Sequence, residues 1–143
     1  MRLARTERRG WGVTNGYTQP PRMCVDRWVA MFRALDEVRA ACIVVDAGTA
    51  VTIDSLDDDG IHLGAQIIPG VATMANSLSS ATSDIPTVRP APGRGVADLG
   101  MFARNTAAAV REGAQNAVVG AVDRAIRTLQ SNAYQPAVVL TGG

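Results

Sequence analysis

Three aspartates beside turns or a helix start, Asp26, Asp46 and Asp54, accompany threonines at similar positions, Thr49, Thr52, Thr82 and Thr106, and an arginine, Arg27. Two glycine turns complete the set, Asp46-Ala47-Gly48-Thr49 and Thr141-Gly142-Gly143. An Asp at a strand end, a Gly that lets backbone approach closely and a Thr offering hydroxyl and N–H together describe a phosphate and metal cradle. Structural turns use the same residue types, so the motif alone also reads as a plain turn. All 14 basic residues are Arg. With no Lys, a P-loop lysine, a Schiff base and a lysine general base are excluded, and any phosphate must meet Arg, backbone N–H groups or metal. Carboxylates, hydroxyls and glycines without a Lys or Cys nucleophile fit metal-assisted phosphoryl transfer better than acyl transfer.

At 143 residues and 47% hydrophobic content, the chain can bury one modest core. The net charge of +1, with both signs spread along the chain, points to neither nucleic acid nor a membrane surface. No apolar run approaches the roughly 18 residues of a membrane span, and Met1-Arg2-Leu3-Ala4-Arg5 lacks the apolar stretch of a signal peptide, so a cytoplasmic location is expected. Cys24 and Cys42 follow no framework or metal spacing and read as reduced thiols.

The elements that must position these residues follow from periodicity. Residues 1–15, rich in Arg and poor in apolar side chains, read as a disordered start. Asn15-Gly16-Tyr17 marks a turn, and Asp26 to Val38 carries Val29, Phe32, Leu35 and Val38 at helical spacing. Asp26 near that helix's N-terminus suits either a structural N-cap or a proton acceptor. The run from Ala40 to Asp54 reads as a strand, the Asp-x-Gly-Thr turn and a second strand. Asp57-Asp58-Asp59-Gly60 is a solvated hairpin turn without the ligand spacing of a calcium loop, and His62, the only histidine, reads as a strand surface residue. Val71, Met74 and Leu78 predict a helix packed on the sheet, Pro86 to Gly100 a loop, Ala103 to Leu129 a long Ala-rich amphipathic helix, and Ala137 to Leu140 a buried strand. The Ala-rich seam suits a dimer interface or intramolecular packing equally.

Taken together, Asn15-Gly16-Tyr17, Asp26-Arg27-Trp28, Asp46 to Thr52, His62-Leu63-Gly64 with Pro69-Gly70, Thr82, Thr106 with Gly113, and Leu140 to Gly143 resemble the type III pantothenate kinases. These enzymes of coenzyme A synthesis include the Bvg accessory factor relatives and belong to the acetate and sugar kinase/Hsp70/actin superfamily. The resemblance implies an α/β, actin-like (ribonuclease H-like) fold, incomplete here. Residues 16–41 would be the remnant of a first actin-like domain with its last helix, and 42–143 a second, C-terminally truncated domain.

It further implies ATP-dependent phosphorylation of pantothenate, with Asp26 as general base. By the same resemblance the substrate-contacting positions would be Tyr17, Cys24, Val25, Asp26, Arg27 and Thr106, with Gly48, Thr49 and Gly142 facing the nucleotide and Asp46 binding a monovalent cation, potassium or ammonium. ATP, magnesium and a homodimer are implied as well, the Thr106 contact lying at the dimer interface. The family's initial Asp-x-Gly-Asn phosphate loop has no counterpart in residues 1–16, so truncation at both ends is expected, and a non-catalytic relative of Bvg accessory factor type is the alternative. Cys24 and Ala65 stand where the family carries Gly.

Overall fold

The structure, a computed structural model, describes residues 5–81 and 101–142. It opens with a hairpin of two short strands, β1 (Arg9–Gly10) and β2 (Val13–Thr14). Trp11 and Gly12 turn the chain with positive φ values of 45° and 85°, a conformation Gly adopts freely and Trp only when held. The Trp11 ring is held edge-on to Phe32 at 4.6 Å. The disordered start expected from composition therefore does not apply from Arg5 onward: Val13 is fully buried, and the Thr6 hydroxyl donates to the Met23 carbonyl at 3.0 Å. The apolar content of this segment is small, but what there is goes inward.

A 3₁₀ turn at Pro20–Arg22 leads into α1 (Val25–Val38), which buries Arg27, Trp28, Met31, Phe32 and Ala34 on one stripe and closes on a left-handed Arg39. Strands β3 (Cys42–Ala47) and β4 (Ala50–Leu56) form an antiparallel hairpin, and β5 (His62–Pro69) adds antiparallel to β4. Helices α2 (Val71–Ala81) and α3 (Thr106–Ser131) precede β6 (Ala137–Thr141), which returns parallel to β3. Asn105 caps α3, accepting from the Ala108 N–H at 2.9 Å. The sheet order is β5-β4-β3-β6.

Side chains alternate across this sheet. Cys42, Val44 and Leu56 face α1 and share a core with Val13, Met23, Trp28 and Met31; Ile43, Val45, Val51 and Ile53 face α3 and meet Ala125 and Leu129. The result is an α/β architecture with helices on both faces of a mixed sheet. One expectation changes: α2 packs chiefly against α3, not on the sheet. The loop read over Pro86 to Gly100, together with Thr82 and Gly143, lies outside the described residues.

Candidate functional site

The register that builds the sheet also gathers the first group of site residues. Asp46 pairs with Thr52 across the hairpin and with Thr141 on β6, so the three share one sheet face near the carboxyl ends of β3 and β6. That is where open α/β sheets bind ligands. The Gly48–Thr49 turn is closed by the Gly48 N–H donating to the Ala50 carbonyl at 3.0 Å. It is pinned from α2, because the Thr49 carbonyl accepts from the Gly70 N–H at 2.8 Å and the Thr73 hydroxyl at 2.7 Å.

Close approach of backbone explains two of the glycines. A Cβ on Gly70 would stand 2.0 Å from the Gly48 oxygen, and one on Gly142, at φ +100°, would stand 2.7 Å from Asp46 Oδ1 and 2.5 Å from the Ala47 oxygen. Gly142 thus meets Asp46 and Ala47, and the Gly48–Thr49 turn that follows them meets Gly70. The Thr52 hydroxyl on the same face is buried without a hydrogen-bond partner among the described residues. Those residues include no group of three or more His, Cys, Asp or Glu side chains able to share a metal.

A second group is buried under α1. Arg27 donates from Nε to Asp54 Oδ2 at 2.9 Å and from Nη2 to Asp54 Oδ1 at 2.6 Å, a two-pronged pairing, and from Nη1 to the Tyr17 hydroxyl at 2.9 Å. The guanidinium carbon also lies 5.4 Å from the centre of the Tyr17 ring. His62 Nε2 is 3.0 Å from Asp54 Oδ1, the oxygen that Arg27 Nη2 also meets, without the alignment of a hydrogen bond, and among the described residues Nδ1 has no partner either. Arg27, Asp54 and His62 are all buried.

Burial alone would push the Asp54 carboxyl up, but His62 and Arg27 outweigh it and hold the carboxyl below its usual range. Burial likewise works against the Arg27 cation, yet Asp54 and Tyr17 hold its value above that of a free guanidinium.

His62 is a correction to the sequence reading, since it is a core residue and not a surface one. It pairs with Leu56, whose side chain points to α1, so it must point there too. Sequence reasoning noted Asp54 but missed its partners. The usable signal was alternation: Leu56 inward places Asp54 inward, and a buried carboxylate requires a cation.

Asp26 sits in the first turn of α1 and is exposed; Cys24, not Asp26, is the residue preceding the helix, and it makes no side-chain cap. The Cys24 thiol lies 4.0 Å from Asp26 Oδ2. Val25 is the first helical residue. Thr106 opens α3 and lines a cavity of about 450 Å³ with Met74, Leu78, Ala109, Val110 and Gly113, none of which belongs to either group above.

Comparison with known proteins bears on this arrangement. The family model described as type III pantothenate kinase matches residues 1–128. The type III pantothenate kinase of Idiomarina loihiensis is 42% identical over 139 residues, covering 92% of this chain and 51% of that protein. The protein of the same name from Methylibium petroleiphilum is 40% identical over 140 residues, covering 92% and 52%. The one from Dechloromonas aromatica is 40% identical, covering 97% and 55%. The chain therefore spans about half the length of the curated relatives it matches. In fold it is similar to a Campylobacter jejuni protein whose crystal structure is described under the Baf family of transcriptional activators, with a TM-score of 0.58 at 23% identity over 93% of this chain and 55% of that one. The chain belongs to the type III pantothenate kinase family.

Proposed function

We propose that this chain carries the acceptor half-site, and part of the nucleotide side, of an enzyme that transfers the γ-phosphoryl group of ATP to pantothenate. The observation that carries the reading is the family match over residues 1–128, which includes Asp26 and its exposed position at the start of α1. In this reading the pantothenate primary hydroxyl gives its proton to the Asp26 carboxylate as its oxygen attacks the γ-phosphorus and ADP leaves. A positioned carboxylate suffices for that, because phosphoryl transfer through a loose transition state asks little of its base. Tyr17, Cys24, Val25, Arg27 and Thr106 would contact pantothenate, with Gly48, Thr49 and Gly142 lining the nucleotide. Relatives named as kinases favour this over a non-catalytic regulator.

For the cations, the donor chemistry fits. The Asp46 carboxylate with the partnerless Thr52 hydroxyl opposite offers oxygen ligands to potassium or ammonium, and magnesium would be held through nucleotide phosphates. When bound, such cations supply neutralisation of phosphate charge. The actin-like division at about residue 41, a cytoplasmic setting and a homodimer complete the proposal; among the described residues no helix is long and apolar enough to cross a membrane.

The test is a phosphorylation assay on this chain with ATP, pantothenate, magnesium and potassium, beside pantothenate calorimetry. Asp26→Asn is expected to lower turnover about 10²- to 10⁴-fold while pantothenate still binds. Turnover unaffected by Asp26→Asn would remove the assigned base.

A further inference from the structure

Asp54 and His62 are buried too deeply to meet a substrate directly, and the reading above gives them no task. The geometry around Arg27 supplies one. A guanidinium carries five N–H donors in one plane. Two of them are fixed on the two Asp54 oxygens, at 2.9 and 2.6 Å, which sets the orientation of the whole plane. With the plane set, Nη1 reaches the Tyr17 hydroxyl oxygen at 2.9 Å.

A phenol oxygen that accepts from a cation keeps its own hydrogen to give. Among the described residues no acceptor takes that hydrogen. The Tyr17 main chain is fixed as firmly: its N–H donates to Asn15 Oδ1 at 2.9 Å, and its carbonyl accepts from Arg8 Nη1 at 2.9 Å. Gly16 lies so close to β5 that a Cβ there would stand 2.0 Å from the His62 oxygen. The His62 ring lies 5.7 Å from that of Tyr17 and puts Nε2 3.0 Å from Asp54 Oδ1, the oxygen that also accepts from Arg27 Nη2. Tyr17 itself is half-buried, whereas Asp54 and His62 are buried.

We infer that Asp54 and His62 are positioning residues for substrate recognition: they lock Arg27 so that the Tyr17 hydroxyl is left as a hydrogen-bond donor to an acceptor oxygen of pantothenate. This rests on the pantothenate reading above. The hydrogen-bonded chain from Asp54 through Arg27 polarises the phenol, so the bond Tyr17 gives gains from a carboxylate that does not itself meet the ligand.

Pantothenate affinity is measured by calorimetry for the unaltered chain, Tyr17→Phe, Asp54→Asn and the double variant, with circular dichroism to check the fold. Each single variant is expected to bind about tenfold to hundredfold more weakly. The loss from Asp54→Asn should shrink severalfold in the Tyr17→Phe background, because the two act through one hydrogen bond. If Asp54→Asn does not fold, His62→Gln, which removes the imidazole beside Asp54 Oδ1, replaces it under the same criterion. Fully additive losses, or unchanged affinity in Tyr17→Phe, overturn the inference and leave the pantothenate reading standing. An unaltered chain that binds no pantothenate overturns that reading, and the inference with it.

Discussion

At the scale of single residues, the Arg27–Asp54 pair is the most consequential contact in the molecule. Both partners are buried, so removing one strands the other. Asp54→Ala is expected to cost about 3–5 kcal/mol, read as a lowered urea midpoint. The pH dependence has a definite sign. The folded-state carboxyl of Asp54 lies below its unfolded value, so its contribution is complete above about pH 3.9 and is lost as pH falls through the lower folded value. The stability gap between the unaltered protein and Asp54→Asn should therefore narrow on acidification below about pH 4; a gap constant with pH contradicts the assignment. The two thiols separate as well. Cys24 is exposed, whereas Cys42 is buried under α1 and its thiol is pushed up to about 11. Iodoacetamide at neutral pH should label Cys24 alone, with Cys42 reacting only after unfolding, as mass mapping would reveal.

At the scale of elements, glycines set how closely segments meet. Gly70 joins β5 to α2 where the Gly48 oxygen leaves no room for a Cβ. Gly70→Ala should destabilise by more than about 1 kcal/mol in thermal or urea unfolding, because backbone and not a pliable side chain must give way. Under the nucleotide reading it should also weaken ATP binding, since α2 pins the Thr49 carbonyl; ATP affinity unchanged by the substitution would separate the turn from the nucleotide. The elements themselves were mostly legible. Helical spacing predicted α1, α2 and α3, and the apolar runs around Asp46 and Ala137 predicted β3, β4 and β6, although β6, expected to be buried, is an edge strand with Val138 and Leu140 exposed. What could not be read was register. His62 is polar and stands beside a triple-Asp turn, so local sequence sends it outward; only its register with Leu56 turns it in. The hairpin of β1 and β2 was hidden for a related reason. Its strands are two residues long, and their stability comes from partners well along the chain, such as Phe32 against Trp11.

At the scale of the whole molecule, the candidate site divides into parts that the sequence listed but could not arrange. Tyr17 and Arg27 meet beneath α1, Asp46 and Gly142 meet at the strand ends, and Thr106 stands in the groove between α2 and α3. That groove is lined largely by apolar and small residues, and Ala-rich α3 lets a second backbone approach. If the proposed homodimer uses it, sedimentation should give twice 15.0 kDa, and Ala109→Glu should return the chain to its monomer mass. A 15.0 kDa species before substitution would dismiss the dimer.

The parallel pairing of β6 with β3 has a kinetic consequence. The loop it closes spans most of the chain, and closing a long loop carries an entropic cost before any contact rewards it. The hairpin of β3 and β4 can form locally and early, but Gly142 reaches Asp46 only once β6 has docked. During synthesis the meeting of Gly142 with Asp46 therefore follows the emergence of β6 from the ribosome, well after the hairpin of β3 and β4.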